Sequence, residues 1–203
     1  MNKVIKSTAA VLAVVVATTA AQAIAVTSEA PSQGWTLDAE NSKISFGSVK
    51  NHFIGESHSF ADISGTVSPD GSAVVEISLA SVQTNVDVRN ERLINHVFTG
   101  GPSASLHAQI DMDAMETLPV GGMTKMMVEG DLTLLGDPVP LDVPMFAIRL
   151  AKDKVMVMSD DLIFVSTDEA GLDTGVDTLL ELAGLDDITR AVPASLRLVF
   201  EAN

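Results

Sequence analysis

Apolar and polar residues alternate along much of the chain, and this alternation predicts β-strands. Glu76 and Ser78, for example, alternate with Val75, Ile77 and Leu79. Since neighbouring side chains of a strand point to opposite faces, the three apolar residues are expected to face inward and the two polar ones to face water. One wet face and one apolar face is typical of an antiparallel sheet.

Residues that favour turns divide the chain into short runs of this kind. Pro69-Asp70-Gly71 is one such break, because proline presets φ and glycine accepts a positive φ. Counting the runs between breaks predicts eight strands, near 35–49, 58–68, 73–82, 103–112, 123–135, 138–150, 154–165 and 193–202.

Two segments, 87–98 and 173–184, are predicted to be helical instead. The first carries an apolar stripe at helical spacing. In the second, Thr174-Gly175-Val176-Asp177 resembles a capping box, and Gly184 is the expected stop. The pattern as a whole predicts an all-β fold, an eight-stranded antiparallel barrel with two short helices. A barrel of this size either fills its interior with side chains or holds one ligand.

The first 23 residues have the order of features of a secretory signal peptide. Lys3 and Lys6 form a basic start, an apolar run over 9–17 follows, and Ala21-Gln22-Ala23 is a small-x-small cleavage sequence. The run is shorter than the roughly 20 residues that span a bilayer, which favours a cleaved signal over a retained membrane anchor. Cleavage is expected after residue 23 or 25, and the protein is expected to be periplasmic or secreted.

The remainder predicts a flexible N-terminal segment at 24–34 and one barrel domain at 35–203. The chain contains no cysteine, which excludes disulfides and thiolate chemistry. Removal of residues 1–23, which hold two lysines and no acidic residue, changes the formal net charge from −15 to −17. A chain this acidic repels phosphate backbones and anionic membrane surfaces, so nucleic acid is not an expected partner. No stretch after residue 23 is apolar and long enough to cross a bilayer, so stable membrane insertion is not expected either.

Four motifs along the domain resemble those of one protein family. The strongest is a Ser-x-x-Thr…Arg-Asp-x-x-Leu signature, matched by 80–84 and 89–93. The others are an aromatic-x-Leu-Asp start, a His followed by a Phe-x-x-Ile-x-Gly stretch, and a Gly-x-Leu-Thr hairpin with its next strand. In the same order, the start is matched by Trp35–Asp38 with Ser42–Phe46, the His and its stretch by His52 with Phe60–Gly65, and the hairpin and its next strand by Glu129–Gly136 with Pro138–Val143. In order and spacing the chain resembles the YceI-like, polyisoprenoid-binding, lipocalin-like proteins.

The chain departs from the family pattern at several points. Asn90 stands where the family commonly has Asp, and the aromatic residues usual after the helix are reduced to those of Asn95–Phe98. Gly101-Pro102 replaces a Tyr-Pro pair, and Ser166–Gly171 replaces an Arg-Ser-x-Phe-Gly stretch. These positions are expected to lie near the barrel mouth, where they bear on the recognition of a ligand head group.

The resemblance implies a lipocalin-like barrel that encloses a long isoprenoid tail. Isoprenoid quinones and polyprenyl carriers are the ligands that it implies. It further implies a non-enzymatic binding protein that requires no cofactor, and it offers no catalytic residues to transfer. The oligomeric state stays open, a homodimer included.

A tail of this kind needs a dry interior, since each buried CH₂ contributes about 0.8 kcal/mol. The inward strand positions and the stripe of the first helix predict fourteen apolar lining residues; the alternative is that they fill the barrel completely. They are Ile44, Phe46, Ile63, Val75, Ile77, Leu79, Leu93, Phe98, Leu106, Val128, Leu132, Leu141, Val143 and Phe200. Arg89 is the candidate polar group at the mouth, or equally a tether between the helix and the barrel rim.

Other residue types raise alternative functions. The methionines cluster, and thioethers can bind Cu(I), but strand alternation sends Met126 and Met127 to opposite faces. His52, His58 and Asp62 are residue types that can bind a metal ion, but their spacing fits no standard zinc pattern, so no metal ligand is assigned. The sequence contains no Gly-x-Ser-x-Gly elbow and no phosphate loop. A lipid-modifying enzyme, a metal-handling protein and a structural exported protein are the alternatives.

Overall fold

The computed structural model describes residues 34–203; the predicted signal peptide and residues 24–33 lie outside the described residues. The strand segments are β1 Trp35–Leu37, β2 Lys43–Lys50, β3 Ile54–Phe60, β4 Ile63–Val67, β5 Ser72–Ser78, β6 Val82–Gln83, β7 Ser103–Gln109, β8 Met123–Thr133, β9 Val139–Ala151, β10 Lys154–Ser159, β11 Ile163–Ser166 and β12 Ala191–Ala202. The helices are α1 Asp87–Arg92, α2 Met112–Glu116 and α3 Asp173–Ala183. A π-helical turn, Leu93–Val97, continues α1.

These segments form a closed, eight-stranded antiparallel barrel, as the alternation of the sequence predicts. Four pairs of segments, β1 with β2, β3 with β4, β5 with β6 and β10 with β11, are the two halves of bent strands. Each strand pairs with the next along the chain, and β12 closes the ring by pairing with both β1 and β2. The closing register places Phe200 opposite Leu37 and Leu196 opposite Ile44.

Local hydrogen bonds hold the bends of the strands. Ser81 lies in the 3₁₀ turn Leu79–Ser81 between β5 and β6. Its hydroxyl donates to the Ser78 carbonyl at 2.7 Å and accepts from the Asp62 amide, at the neighbouring bend, at 3.0 Å. The serine thus satisfies backbone groups that lose their ladder partners where both strands bend. Ser81, the serine of the Ser-x-x-Thr motif, therefore stabilises the bends of two neighbouring barrel strands.

The inward faces of the strands follow the predicted parity. Val75, Ile77 and Leu79 are 3%, 6% and 1% exposed and belong to the main core cluster. Glu76 and Ser78 alternate with them and are more exposed. His107 is exposed on β7, as its parity predicts. Burial of the apolar face excludes a shift of register by one residue, because such a shift would turn the whole apolar set outward.

Two strand boundaries differ from the prediction by more than two residues. The strand predicted at 103–112 ends at Gln109, and the chain then forms α2. The Asp111 carboxylate caps this helix by accepting from the Ala114 amide at 3.1 Å. The strand predicted at 58–68 begins earlier, at Ile54, because its exposed first residues pair with β2.

The start of α3 also differs from the prediction. The helix begins at Asp173, so Thr174 is not its N-cap, and Leu172 occupies that position without a side-chain hydrogen bond. Asp177 does not complete a capping box, because its carboxylate pairs with Arg190 at 2.5 Å. The predicted end is confirmed: Gly184 adopts φ 60°, the left-handed conformation that closes a helix. Within residues 34–203, no helix has both the length and the apolar character needed to cross a membrane.

Candidate functional site

The barrel interior contains a large cavity of about 460 Å³. This volume lies in the range of about 300–1,000 Å³ that is usual for small-molecule sites. Leu106, Leu132 and Leu141 face inward yet stay only half-buried, because they border this empty space. The described side chains therefore do not fill the barrel completely.

Most of the predicted lining residues border this cavity or a smaller one of about 110 Å³. Those at the large cavity alone are Ile44, Phe46, Ile77, Leu79, Leu93, Phe98 and Leu132. Those at the small cavity alone are Val75, Val128, Val143 and Phe200. Leu106 and Leu141 border both, whereas Ile63 borders neither and packs in the core.

The two cavities share three wall residues, Leu106, Leu141 and Leu196. These leucines come from three different strands and form a waist between the two spaces. A ligand longer than the large cavity would have to pass this waist. Because the waist consists of leucine side chains, these residues can change rotamer without breaking a hydrogen bond.

Helix α2 covers the barrel end next to the small cavity. Its Met115 is 6% exposed and packs against Ala147 and Val155. Arg149, itself 7% exposed, donates to the Met115 carbonyl and lies 5.4 Å from the Trp35 ring centroid in a cation–π contact. These contacts hold the helix across the barrel end.

At the opposite end, α3 and the π-helical turn pack against each other over the large cavity. Val97 and Val176 are buried in the cluster that joins these two elements. Gly175 permits their close approach, because a Cβ atom at this position would lie 2.5 Å from the His96 carbonyl oxygen. Val88 of α1 lines the cavity and is 52% exposed, which places the opening beside α1.

An ion-pair cluster lies at this opening. Glu56 of β3 accepts from Lys50 at 3.0 Å through one carboxylate oxygen and pairs with Arg89 at 2.8 Å through the other. Burial alone would raise the pKa of Glu56, but the two cations outweigh it and hold that pKa below its usual value. Arg89 thus both lines the cavity and connects α1 to the barrel wall, which joins the two roles considered for it from the sequence.

His58 is a cavity residue that the sequence reasoning did not assign to the site. It is 5% exposed, and its Nε2 lies 3.1 Å from the Ser48 hydroxyl. Its Nδ1 is buried without a partner among the described residues. Burial, and next the charge of Arg89, lower the pKa of His58 and favour the neutral ring. The sequence offers one weak signal, that alternation puts His58 on the same face of β3 as Phe60; both faces of this strand carry polar residues, so the signal does not show which face turns inward.

An aromatic wall extends from His58 into the cavity. The Phe46 ring lies 5.1 Å from the His58 ring and 5.2 Å from the Phe60 ring, centroid to centroid. Phe98 continues the series at 6.1 Å from Phe60. The wall therefore changes from charged at the opening, through a polar imidazole, to aromatic and aliphatic inside.

The structure does not bring together the three residues that were considered for a metal site. His52 and Asp62 are exposed, whereas His58 is buried in the barrel. In the part of the chain that the structure describes, no three His, Asp or Glu side chains are placed to hold a metal ion. Met126 faces the small cavity and Met127 is 63% exposed, so these two do lie on opposite faces.

The strongest sequence motif also positions α1. The Asn90 side-chain oxygen accepts from the Thr84 amide at 2.9 Å and from the Thr84 hydroxyl at 2.7 Å. Thr84 is 4% exposed, so these bonds are largely protected from water. An Asp, the residue common in the family, offers the same acceptor, and the departure at this position therefore preserves the contact.

We expect Asn90→Ala to lower the free energy of unfolding by about 1–3 kcal/mol, because it leaves the buried Thr84 amide without its acceptor, whereas the Thr84 hydroxyl keeps the Val86 carbonyl at 3.2 Å. Asn90→Asp is the matched control and is expected to stay near the original value. Urea unfolding followed by circular dichroism measures both. Equal stability of Asn90→Ala and the unchanged protein would show that this contact does not hold α1.

Comparisons with known proteins agree with the barrel geometry. A model of the YceI-like domain matches residues 35–176. The chain also resembles a solved polyisoprenoid-binding domain from Saccharophagus degradans, implicated in plant cell wall breakdown. The identity is 32%, the TM-score is 0.82, and the match covers 84% of this chain and 99% of that one.

A second solved structure, BcnA of Burkholderia cenocepacia, shares the fold. It is 20% identical, with a TM-score of 0.61, and the match covers 80% of this chain and 98% of that one. None of the curated proteins matches this chain.

Proposed function

Because the chain belongs to the YceI-like domain family, we propose that it is a non-enzymatic binding protein that holds a polyisoprenoid lipid, an isoprenoid quinone or a polyprenyl carrier, inside its barrel. The observation that carries the proposal is the apolar cavity of about 460 Å³ with polar groups gathered at its opening. The similarity to the polyisoprenoid-binding domain of Saccharophagus degradans supports the ligand class.

The cavity suits a hydrocarbon tail energetically. Its inner wall is made of leucine, isoleucine, valine and phenylalanine side chains. Each buried CH₂ of a ligand contributes about 0.8 kcal/mol, so a few isoprene units suffice for stable binding without a hydrogen bond to the tail. The small cavity, which shares the leucine waist with the first, offers further apolar room.

The polar groups at the opening favour binding over catalysis. Glu56 is paired with Lys50 and Arg89, and His58 with Ser48. The Ser48 hydroxyl and His58 lie within the distance of a nucleophile and its base, but such a pair also needs a third group that orients the base, and His58 Nδ1 has no side-chain partner of that kind among the described residues. The lipid-modifying enzyme is therefore the second candidate.

The proposed compartment is the periplasm or the exterior of the cell. The support is the order of Lys3 and Lys6, the apolar run at 9–17 and Ala21-Gln22-Ala23. The acidic composition after residue 23 suits a protein that carries a lipid through water without adhering to anionic surfaces.

We expect native mass spectrometry of the protein purified from its own cells to show a bound lipid with the mass of an isoprenoid. The same spectrum gives the mass of the chain, expected to begin at residue 24 or 26, and the oligomeric state. Denatured protein is the control, because it should give the chain alone. Metal in place of lipid would support the metal-handling alternative, and an empty protein that takes up no added isoprenoid would contradict the proposal.

A further inference from the structure

We propose that the apolar rim around the opening of the large cavity is a docking surface for a phospholipid bilayer, and that the protein takes up and releases its isoprenoid while this rim contacts the membrane. The apolar rim consists of Phe53, Ile54, Val86, Val88 and Leu182, which are 81%, 38%, 39%, 52% and 46% exposed. The inference rests on the proposed function, since it concerns how a ligand that dissolves in membranes enters the same cavity.

The residues of the apolar rim come from separate elements that meet at the opening. Val86, the N-cap of α1, and Val88 both belong to the cavity wall. The ion pair between Glu56 and Arg89 joins α1 to β3, two residues beyond Ile54. Large apolar side chains that are exposed together in this way mark a surface that another molecule covers.

A tight turn presents Phe53 at the tip of the hairpin between β2 and β3. Asn51 and His52, the two residues before it, adopt the left-handed conformation with φ of 49° and 68°. Two consecutive positive φ angles turn the chain sharply between paired strands. The turn leaves the Phe53 side chain 81% exposed, the largest exposure among the large apolar side chains of the described residues.

Hydrogen bonds connect this turn to the chain that follows α3. The Asn51 amide donates to the Asp187 carbonyl at 2.9 Å, and the Asn51 side-chain oxygen accepts from the Asp186 amide at 3.1 Å. Leu182 lies in the last turn of α3 and precedes Ala183, a residue of the cavity wall. The hairpin tip and the end of α3 therefore form one connected edge of the opening.

A bilayer at this surface would give the isoprenoid a path that avoids water. A tail that crossed water would expose all of its apolar surface on the way, which the hydrophobic effect opposes. From a docked membrane, the tail passes directly from lipid hydrocarbon to the apolar cavity wall. Phe53 and Val88 would at the same time bury in the lipid the apolar surface that they now expose.

The charges at the opening are compatible with a phospholipid headgroup. The charged residues of the cavity wall are three cations and one carboxylate, Lys50, Arg89, Arg92 and Glu56. Asp87 and Glu91 of α1 are exposed and lie outside this wall. A lipid phosphate would therefore meet cations at the opening, although the chain as a whole is acidic. The acidic residues elsewhere keep the contact reversible.

The shape of the apolar rim favours a bilayer over a protein partner. Its residues surround an open cavity, whereas a specific protein interface has a closely packed core. A fluid bilayer deforms around a projecting side chain such as Phe53 and needs no matching surface.

The first test measures transfer of a fluorescent isoprenoid from phosphatidylcholine vesicles to the full mature chain. The transfer rate is expected to rise with protein concentration, because collision with the membrane limits it; escape of the ligand into water would make the rate independent of protein concentration. Phe53→Ser should slow transfer about tenfold, since it removes one phenylalanine side chain from the lipid contact. Its affinity for a geranyl-tailed probe added without vesicles should stay within about twofold, because Phe53 does not line the cavity.

Met127→Ser is the matched control for this test. Met127 is 63% exposed on the outer face of β8, which lies across the barrel from β2. The substitution removes a large exposed apolar side chain far from the opening, and transfer should keep its original rate.

The second test locates the membrane contact with phosphatidylcholine brominated on its acyl chains, because bromine quenches only an indole that it touches. Phe53→Trp is expected to be quenched by these vesicles, whereas Met127→Trp is expected to keep its fluorescence. The unchanged protein gives the background, since Trp35 borders the small cavity at the other end of the barrel.

The inference is overturned if Phe53→Ser receives the isoprenoid as fast as the unchanged protein, or if Phe53→Trp is quenched no more than Met127→Trp. Either result would leave a protein partner as the occupant of the apolar rim. Failure of the unchanged protein to bind the geranyl-tailed probe without vesicles would instead refute the proposed function. Binding of that probe, combined with vesicle transfer that does not depend on Phe53, would refute the docking surface alone.

Discussion

Ala194→Trp is expected to abolish isoprenoid binding while leaving the barrel folded. Ala194 lies on β12, lines the large cavity, and pairs with Phe46 of β2 and Ile163 of β11. An indole at this position would occupy the space that the tail requires. The cavity can accept the added volume, so the overpacking cost should stay at or below about 1–3 kcal/mol. We expect an affinity loss of at least tenfold for an isoprenoid.

The same substitution on the outer face of the strand is the matched control. Ala191 lies three residues before Ala194 on β12 and is exposed. Ala191→Trp should change the affinity by less than twofold. Titration of a fluorescent isoprenoid, with the melting temperature recorded for both variants, separates a blocked cavity from an unfolded barrel. Unchanged binding by a folded Ala194→Trp variant would mean that the tail does not lie in the large cavity.

Gly175→Ala is expected to loosen the two helical elements that cover the opening. The added Cβ would lie 2.5 Å from the His96 oxygen and 2.6 Å from the Val97 Cα, both backbone atoms that cannot rotate away. We expect the free energy of unfolding to fall by about 1–3 kcal/mol. This loss would occur although alanine favours an isolated helix over glycine by about 1 kcal/mol. Release of a bound isoprenoid should become faster, because α3 must shift away from the π-helical turn.

Gly55→Ala provides the control for this effect. A Cβ at Gly55 would have no atom within 4 Å, so the substitution adds a methyl group without a clash. Chemical denaturation and stopped-flow displacement of a fluorescent isoprenoid measure the two variants side by side. If Gly175→Ala is as stable as the unchanged protein and releases ligand at the same rate, close packing at Gly175 does not control the opening.

The strand pattern and the turns could be predicted because they depend on neighbours in the sequence. Val75, Ile77 and Leu79 face inward as their alternation predicts, and Gly71 takes φ 86° in the Pro69-Asp70-Gly71 turn. The family motifs were informative for the same reason, because they include residues that form local contacts, such as the hydrogen bonds between Thr84 and Asn90. The helix at 112–116 was missed because its signal, the Asp111 cap, is a single residue beside a strand.

The polar part of the site depends on contacts that join distant residues. Ser48 meets His58 across two paired strands, and Arg89 reaches Glu56 from a helix that lies 33 positions further along the chain. Both faces of β3, the strand that carries Glu56 and His58, have polar residues, so alternation alone does not show which face turns inward.

By itself, the sequence determined the class of the fold, the number of strands and the apolar residues that face the interior, because period-two alternation and turn chemistry act over a few residues. Tertiary structure alone decided that the interior stays open and that His58 is left with an unpaired nitrogen. The physical reason is that a cavity is the difference between the volume enclosed by eight closed strands and the volume of all side chains pointing into it. That difference depends on every register in the barrel at once.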